Sequence, residues 1–139
     1  MGSYLKIAVA IDFSEQSLKA FERASQLALQ YNAVLQLVSV VDTKSFGAAS
    51  AYDLKYAEAL KQEYADKIEK LVKEALQAGV KEVESVVEAG LPKAILTQLP
   101  NIDLLVCGAT GLNRIEKMVL GSVAEKVARH APCDVLIVR

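Results

Sequence analysis

Cysteine, histidine, excess positive charge and long apolar runs are all scarce in this chain, and each scarcity removes a class of protein. Two cysteines, Cys107 and Cys133, are too few for a disulfide framework or a four-cysteine zinc site. Both stand in or beside apolar runs, where a free thiol is usually a core residue. His130 is the single histidine. It falls near the end of a helical segment, where the helix dipole favours a cation, and no hydrolytic triad can be assembled around it. Sixteen basic residues against seventeen acidic ones give a net charge of −1, too little positive charge for a phosphate-neutralising face, so no nucleic-acid partner is expected. No apolar run approaches the roughly 18 residues of a membrane span, and the first residues lack an apolar signal core with a small-residue cleavage site. No membrane partner is expected, and the chain is expected to be cytoplasmic.

What is present is a chain of 139 residues, 53% apolar and 24% charged, which suits a single domain over 1–139 because one core organises about 100 to 200 residues. Strand-length apolar runs alternate with longer segments of helical period, the pattern of a parallel sheet wrapped by helices. Five strands are predicted: Lys6 to Asp12, Val34 to Val41, Glu82 to Glu88, Asp103 to Gly108 and Asp134 to Val138. Ser14 is a candidate N-cap for the first helix, with an inner stripe of Leu18, Phe21, Ala24, Ala28 and Tyr31 and Asn32 as its stop. The second helix is predicted over Tyr52 to Ala78, with Ala57, Leu60, Tyr64, Ile68, Leu71, Ala75 and Ala78 inward and Gly79 ending it. Pro92 opens a third helix through Leu99, and Ser122 a fourth through about His130.

Charge orders the strands. Three strands are nearly continuous apolar runs, as expected when both faces are covered, whereas the third carries Glu82, Glu84 and Glu88 on one side and Val83 and Val87 on the other. Burying unpaired carboxylates is costly, so this strand belongs at an edge. The predicted fold is an open five-stranded parallel α/β sheet of Rossmann-like type, order 3-2-1-4-5, with helices on both faces. Its order reversal falls between strands 1 and 4, and the ligand crevice of such sheets lies at the carboxyl ends of the strands at that point.

Asp12 stands at the end of strand 1. Strand 4 ends at Gly108, followed by Ala109-Thr110-Gly111, a loop to Leu120, and Gly121-Ser122 at the start of the last helix. Glycines admit close backbone approach, and a helix N-terminus offers N–H donors to an anion. Charge-assisted hydrogen bonds contribute roughly 1.5 to 3 kcal/mol each, so a few could hold a triphosphate without a lysine-rich pocket. Local explanations also exist. Ser122 and Glu125 have the S-x-x-E spacing of a capping box, Gly108 could simply end a strand, and Asp12 could be a turn residue. There is no G-x-x-x-x-G-K-[ST], and no G-x-G-x-x-G follows strand 1. Arg114 and Lys117 could reach a phosphate or be solvated loop charges. The small-residue connection from Lys44 to Ala51 could fold over a ligand or be a simple tether.

The complete spacing Gly108-x2-Gly111-x9-Gly121-Ser122 resembles the nucleotide-binding signature of the universal stress protein family. Ile7-Ala8-Val9-Ala10-Ile11-Asp12-Phe13-Ser14 is similar to that family's first strand and turn, Val38 to Asp42 to its second strand end, and Ala131 to Val138 to its closing strand. The resemblance spans essentially the whole chain. It implies an ATP-binding regulatory module, with ATP accompanied by Mg2+. Ala10, Ile11 and Asp12 would lie at the ribose and Val40 at the adenine. Gly108, Gly111, Gly121, Ser122 and Val123 would lie at the phosphates. A branch of the family without the glycine motif does not bind ATP; this chain keeps the motif. A slow ATPase or nucleotidyl-transfer enzyme, and a dimeric interaction module with a vacant pocket, remain as alternatives. The fifth strand, Val135 to Val138, has no interior charge or proline to guard an edge, so a homodimer through that strand is expected, which the resemblance also implies.

Overall fold

The computed structural model describes residues 4–42, 51–110 and 120–139, with the side chains of 51–54 excepted. Its strands are β1 (Lys6–Ala10), β2 (Val34–Asp42), β3 (Val83–Gly90), β4 (Leu104–Gly108) and β5 (Asp134–Val138). They alternate with helices α1 (Glu15–Tyr31), α2 (Ala51–Gln77), α3 (Pro92–Leu96) and α4 (Ser122–His130). All strands are parallel and the order is β3-β2-β1-β4-β5, as predicted.

Each interior strand alternates its side chains between two apolar layers. Ile7 and Val9 of β1, Leu35 and Leu37 of β2, and Leu104 and Val106 of β4 pack under Phe21, Ala24 and Ala28 of α1 and Ile68, Leu71 and Ala75 of α2. On the other face, Ala8, Val38, Leu105 and Cys107 meet Leu96 of α3 and Ala124 and Val127 of α4. Continuous apolar runs are therefore what burial on both faces requires. The edge assignment of β3 holds, and its Glu84 does more than guard. It accepts from Lys6 Nζ at 2.7 Å and from Gln36 Nε2 at 3.3 Å, joining the polar residues of three adjacent strands.

Ser14 caps α1 as expected, its hydroxyl accepting from Ser17 N–H at 3.1 Å, and Asn32 ends the helix at φ 55°. The inner stripe differs from the predicted one. Leu18 is 38% exposed, while Ser17, Ala20 and Ser25 are buried beside Phe21, Ala24 and Ala28. Serines can occupy this face because Ser17 and Ser25 donate their hydroxyls to Ser14 C=O (3.0 Å) and Phe21 C=O (2.9 Å), so that both hydroxyls are satisfied within the helix turn. Ala78 is exposed past the end of α2, where Gly79 turns at φ 110°. Helix α3 stops at Leu96 rather than Leu99. Thr97 returns its hydroxyl to Lys93 C=O at 2.7 Å, and Pro100 disfavours helical geometry at Leu99.

Candidate functional site

Helix α1 follows β1 onto one face of the sheet and α4 follows β4 onto the other, so the chain parts at the carboxyl ends of these neighbouring strands. That parting is the crevice expected at an order reversal. Strand β1 ends at Ala10, two residues earlier than predicted. Asp12 N–H leaves the ladder and meets Ser17 Oγ at 3.3 Å, and Phe13 turns the chain at φ 66°. The Asp12 carboxylate accepts from Ser14 N–H at 3.0 Å and from the Ser14 hydroxyl. It therefore does serve the turn, while standing half-buried at the mouth of the crevice.

The final rung between β1 and β2 is Ile11 N–H to Val38 C=O at 2.8 Å. Backbone groups alternate sides along a strand, so the Val40 peptide groups point to the same side as those of Val38. Beyond Ile11, β1 has turned away, and Val40 presents a donor and an acceptor to the space above it. Ala10 is half-buried and Ile11 is buried at this end of the sheet.

On the other wall, Gly121 N–H donates to Ala109 C=O at 2.7 Å, tying the start of α4 to the end of β4. Gly121 is the N-cap of α4 at φ −63°, and its carbonyl accepts from Glu125 N–H at 2.9 Å. Ser122 is thus the first helical residue and not the cap. The S-x-x-E capping box does not form, because the box needs its serine at the cap and its glutamate three residues on. Glu125 instead pairs with Arg129 at 3.3 Å. Ser122 is exposed and Val123 half-buried, and the N–H groups of Ser122, Val123 and Ala124 belong to the first turn, which has no intrahelical acceptors.

Gly108 has a packing task that its place in the motif does not suggest. A Cβ there would lie 3.0 Å from the backbone carbon and the Cβ of Gln16 in α1. The glycine lets α1 start directly against the end of β4. Beside this contact Gln16 keeps its side-chain oxygen buried without a hydrogen-bond partner. The first-turn donors of α4 and the donor and acceptor of the Val40 peptide form a set that fits a nucleotide. Gly111, Arg114 and Lys117 lie outside the described residues, as does the Lys44 to Ala51 connection up to residue 50.

Sequence reasoning missed the contribution of α2. Tyr64, expected in its core stripe, instead meets the Phe13 ring edge-on at 5.1 Å. Cys107 matches the expectation of a core thiol, burial pushing it up to about 11; Cys133 is only half-buried against the layer under α3 and α4, and burial raises its thiol as well. His130 and Arg129 occupy the last turn of α4.

Fold and crevice together define a Rossmann-like α/β domain whose donors and acceptors gather at a strand-order reversal. The model of the universal stress protein family matches residues 3–139, and the chain belongs to that family. A Staphylococcus saprophyticus protein with a provisional universal stress protein designation is 40% identical, the match covering 100% of this chain and 86% of that one. The universal stress protein UspA of Lactobacillus plantarum superimposes with a TM-score of 0.88 at 27% identity, over 99% of each chain. A universal stress protein solved in complex with cAMP superimposes with a TM-score of 0.66 at 33% identity, over 99% of this chain and 98% of that one.

Proposed function

We propose that this chain is a cytoplasmic ATP-binding module that regulates by a ligand-dependent change of state in the stress response, taking ATP with Mg2+. The observation that supports the reading is the strand order: β2, β1 and β4 are neighbours, so the Val40 peptide, Asp12 and the first turn of α4 all lie at or after the carboxyl ends of adjacent strands at the β1/β4 reversal. In this arrangement Val40 meets the adenine edge, Asp12 accepts from a ribose hydroxyl, and Ala10 and Ile11 form the floor. The peptide donors of Ser122 and Val123 and the Ser122 hydroxyl meet phosphate oxygens, Gly111 and Gly121 allowing the approach. Mg2+, when bound, neutralises part of the triphosphate charge, a task for which these residues offer no lysine. That a relative was solved with cAMP supports an adenine nucleotide as the ligand. Among the described residues no helix is long and apolar enough to cross a membrane.

The test is thermal unfolding with and without ATP and Mg2+. A ligand that binds only the folded state at a hundredfold excess over its dissociation constant adds about 2.7 kcal/mol, a rise in melting temperature of several degrees for a domain of this size. No shift at millimolar ATP would sink the reading.

The same proposal includes a homodimer through β5. That strand lies at an edge, and Val135, Leu136 and Ile137 are only half-buried. A groove of about 400 Å³, lined by Tyr4, Leu27, Leu104, Asp134, Val135 and Leu136, runs beside it. Antiparallel pairing of two such edges about a twofold axis covers both the strand and the groove. Sedimentation at micromolar concentration should give about twice the 15.0 kDa chain mass. Val138 C=O accepts from Ala109 N–H on the β4 side, so the alternate Ile137 N–H faces the free edge, and Ile137→Pro, which removes that ladder donor, should shift the protein toward monomer. A parent protein that sediments as a monomer removes the dimer from the proposal.

A further inference from the structure

Phe13 holds a left-handed backbone, φ 66°, which costs a non-glycine residue roughly 1 to 2 kcal/mol and persists only where the surroundings impose it. Helix α2 supplies the imposition. Tyr64 meets the Phe13 ring edge-on, with centroids 5.1 Å apart and planes at 71°, and Lys67 Nζ stands 5.1 Å from the centroid of the same ring. The two are three residues apart and so share one face of the helix. Both contacts are favourable orientations for an aromatic ring. The next residue back in the chain is Asp12, whose carboxylate is oriented by Ser14 N–H and hydroxyl. Burial, and after it the negative charge of Asp12, raise the Tyr64 pKa, so the phenol lies near enough to the carboxylate to feel it.

We propose that Tyr64 and Lys67 are positioning residues for the nucleotide site: by clamping Phe13 in its left-handed turn they fix the Asp12 carboxylate against the ribose hydroxyls, and so set the preference for ribonucleotides. This rests on the assignment of Asp12 to the ribose. Neither residue touches the ligand in this scheme. The clamp acts through the backbone, because a relaxed Phe13 would swing the carboxylate away from the crevice while leaving the Val40 and α4 donors in place. Losing the clamp therefore weakens recognition of the sugar and spares recognition of adenine and phosphate.

The experiment is calorimetric titration of the full chain with ATP and with 2′,3′-dideoxy-ATP, both with Mg2+. The parent is expected to favour ATP by about 10- to 100-fold, the range of a hydrogen bond to a charged acceptor. Tyr64→Ala and Phe13→Ala should bring that ratio to within about 3-fold, with dideoxy-ATP affinity nearly unchanged, whereas Tyr64→Phe, which keeps the ring contact, should retain it. Phe13→Ala is informative because alanine keeps the strain of a non-glycine residue at φ 66° while the ring is gone, so a lost preference there is owed to the missing ring. Lys67 is exposed, and Lys67→Met keeps the apolar stem while removing the cation and its exposed ion pair with Glu63, a pair of little energetic consequence, so it should lower the ratio severalfold even if Tyr64→Ala does not fold. A packing defect without positioning would weaken both ligands alike and leave the ratio intact. An unchanged ratio in Phe13→Ala and Lys67→Met overturns the clamp. A parent that binds both nucleotides equally overturns the role of Asp12 and the clamp with it, and a parent that binds neither overturns the nucleotide reading itself.

Discussion

Replacing Gly121 with valine is expected to lower ATP affinity at least about 100-fold while leaving the circular dichroism spectrum close to that of the parent. A factor of 100 is about 2.7 kcal/mol, near the contribution of one or two charge-assisted hydrogen bonds to phosphate. The backbone of Gly121, at φ −63° and ψ 156°, is open to any residue. Its two hydrogen bonds, to Ala109 C=O and from Glu125 N–H, involve main-chain atoms that valine retains. The helix loses a favourable cap residue, a cost of about 1 kcal/mol or less, so the fold should survive. Conformation therefore gives no reason for a glycine at this position, whereas close approach of a phosphate to the first turn of α4 does. Titration of the variant with ATP checks the expectation. Parental affinity would place the phosphates away from α4.

Gly108→Val is expected to behave in the opposite way, destabilising the fold by about 2 to 3 kcal/mol, the range of overpacking in a tight interior. The new Cβ would stand 3.0 Å from the main chain of Gln16, and main chain in the first turn of a capped helix cannot rotate aside as a side-chain tip can. Helix α1 would have to lift from β4, disturbing the Ser14 cap, the Ser17 bond to Asp12 N–H and the layer beneath Phe21. For a domain of this size that is a fall in melting temperature of roughly 6 to 12 °C, measured without nucleotide. A melting temperature within about 2 °C of the parent would show that α1 yields freely and that Gly108 is not needed for packing. The two variants thus separate the two glycines of the motif: on the proposed reading, loss of affinity is expected at Gly121 and loss of stability at Gly108.

How far the architecture could be read from the residues follows from where each signal resides. The apolar runs of β1, β2 and β4 and the glutamates of β3 are properties of the strands themselves, and they led to the correct order because charge burial is costly anywhere in a sheet. The stripe of α1 was misjudged at Leu18 because hydropathy counts Ser17 and Ser25 as polar, although their hydroxyls are satisfied within the helix. The S-x-x-E pattern at Ser122 suggested a capping box that does not form. Gly121, held to Ala109, takes the cap position and moves the serine one step into the helix.

The sequence by itself determined the parallel five-stranded class, the edge position of β3, the reversal between β1 and β4, and the places along the chain where a crevice could receive a ligand. These follow from local pattern and charge. Only the tertiary structure decided that Gly108 yields space to Gln16, that a glutamine oxygen is buried without a partner beside it, and that Tyr64 and Lys67 reach across to Phe13. Those relations join residues about 50 to 90 positions apart, and no periodicity or motif encodes them. They arise when close packing brings α1 against β4 and α2 over the β1–α1 turn, and packing is a property of the assembled layers.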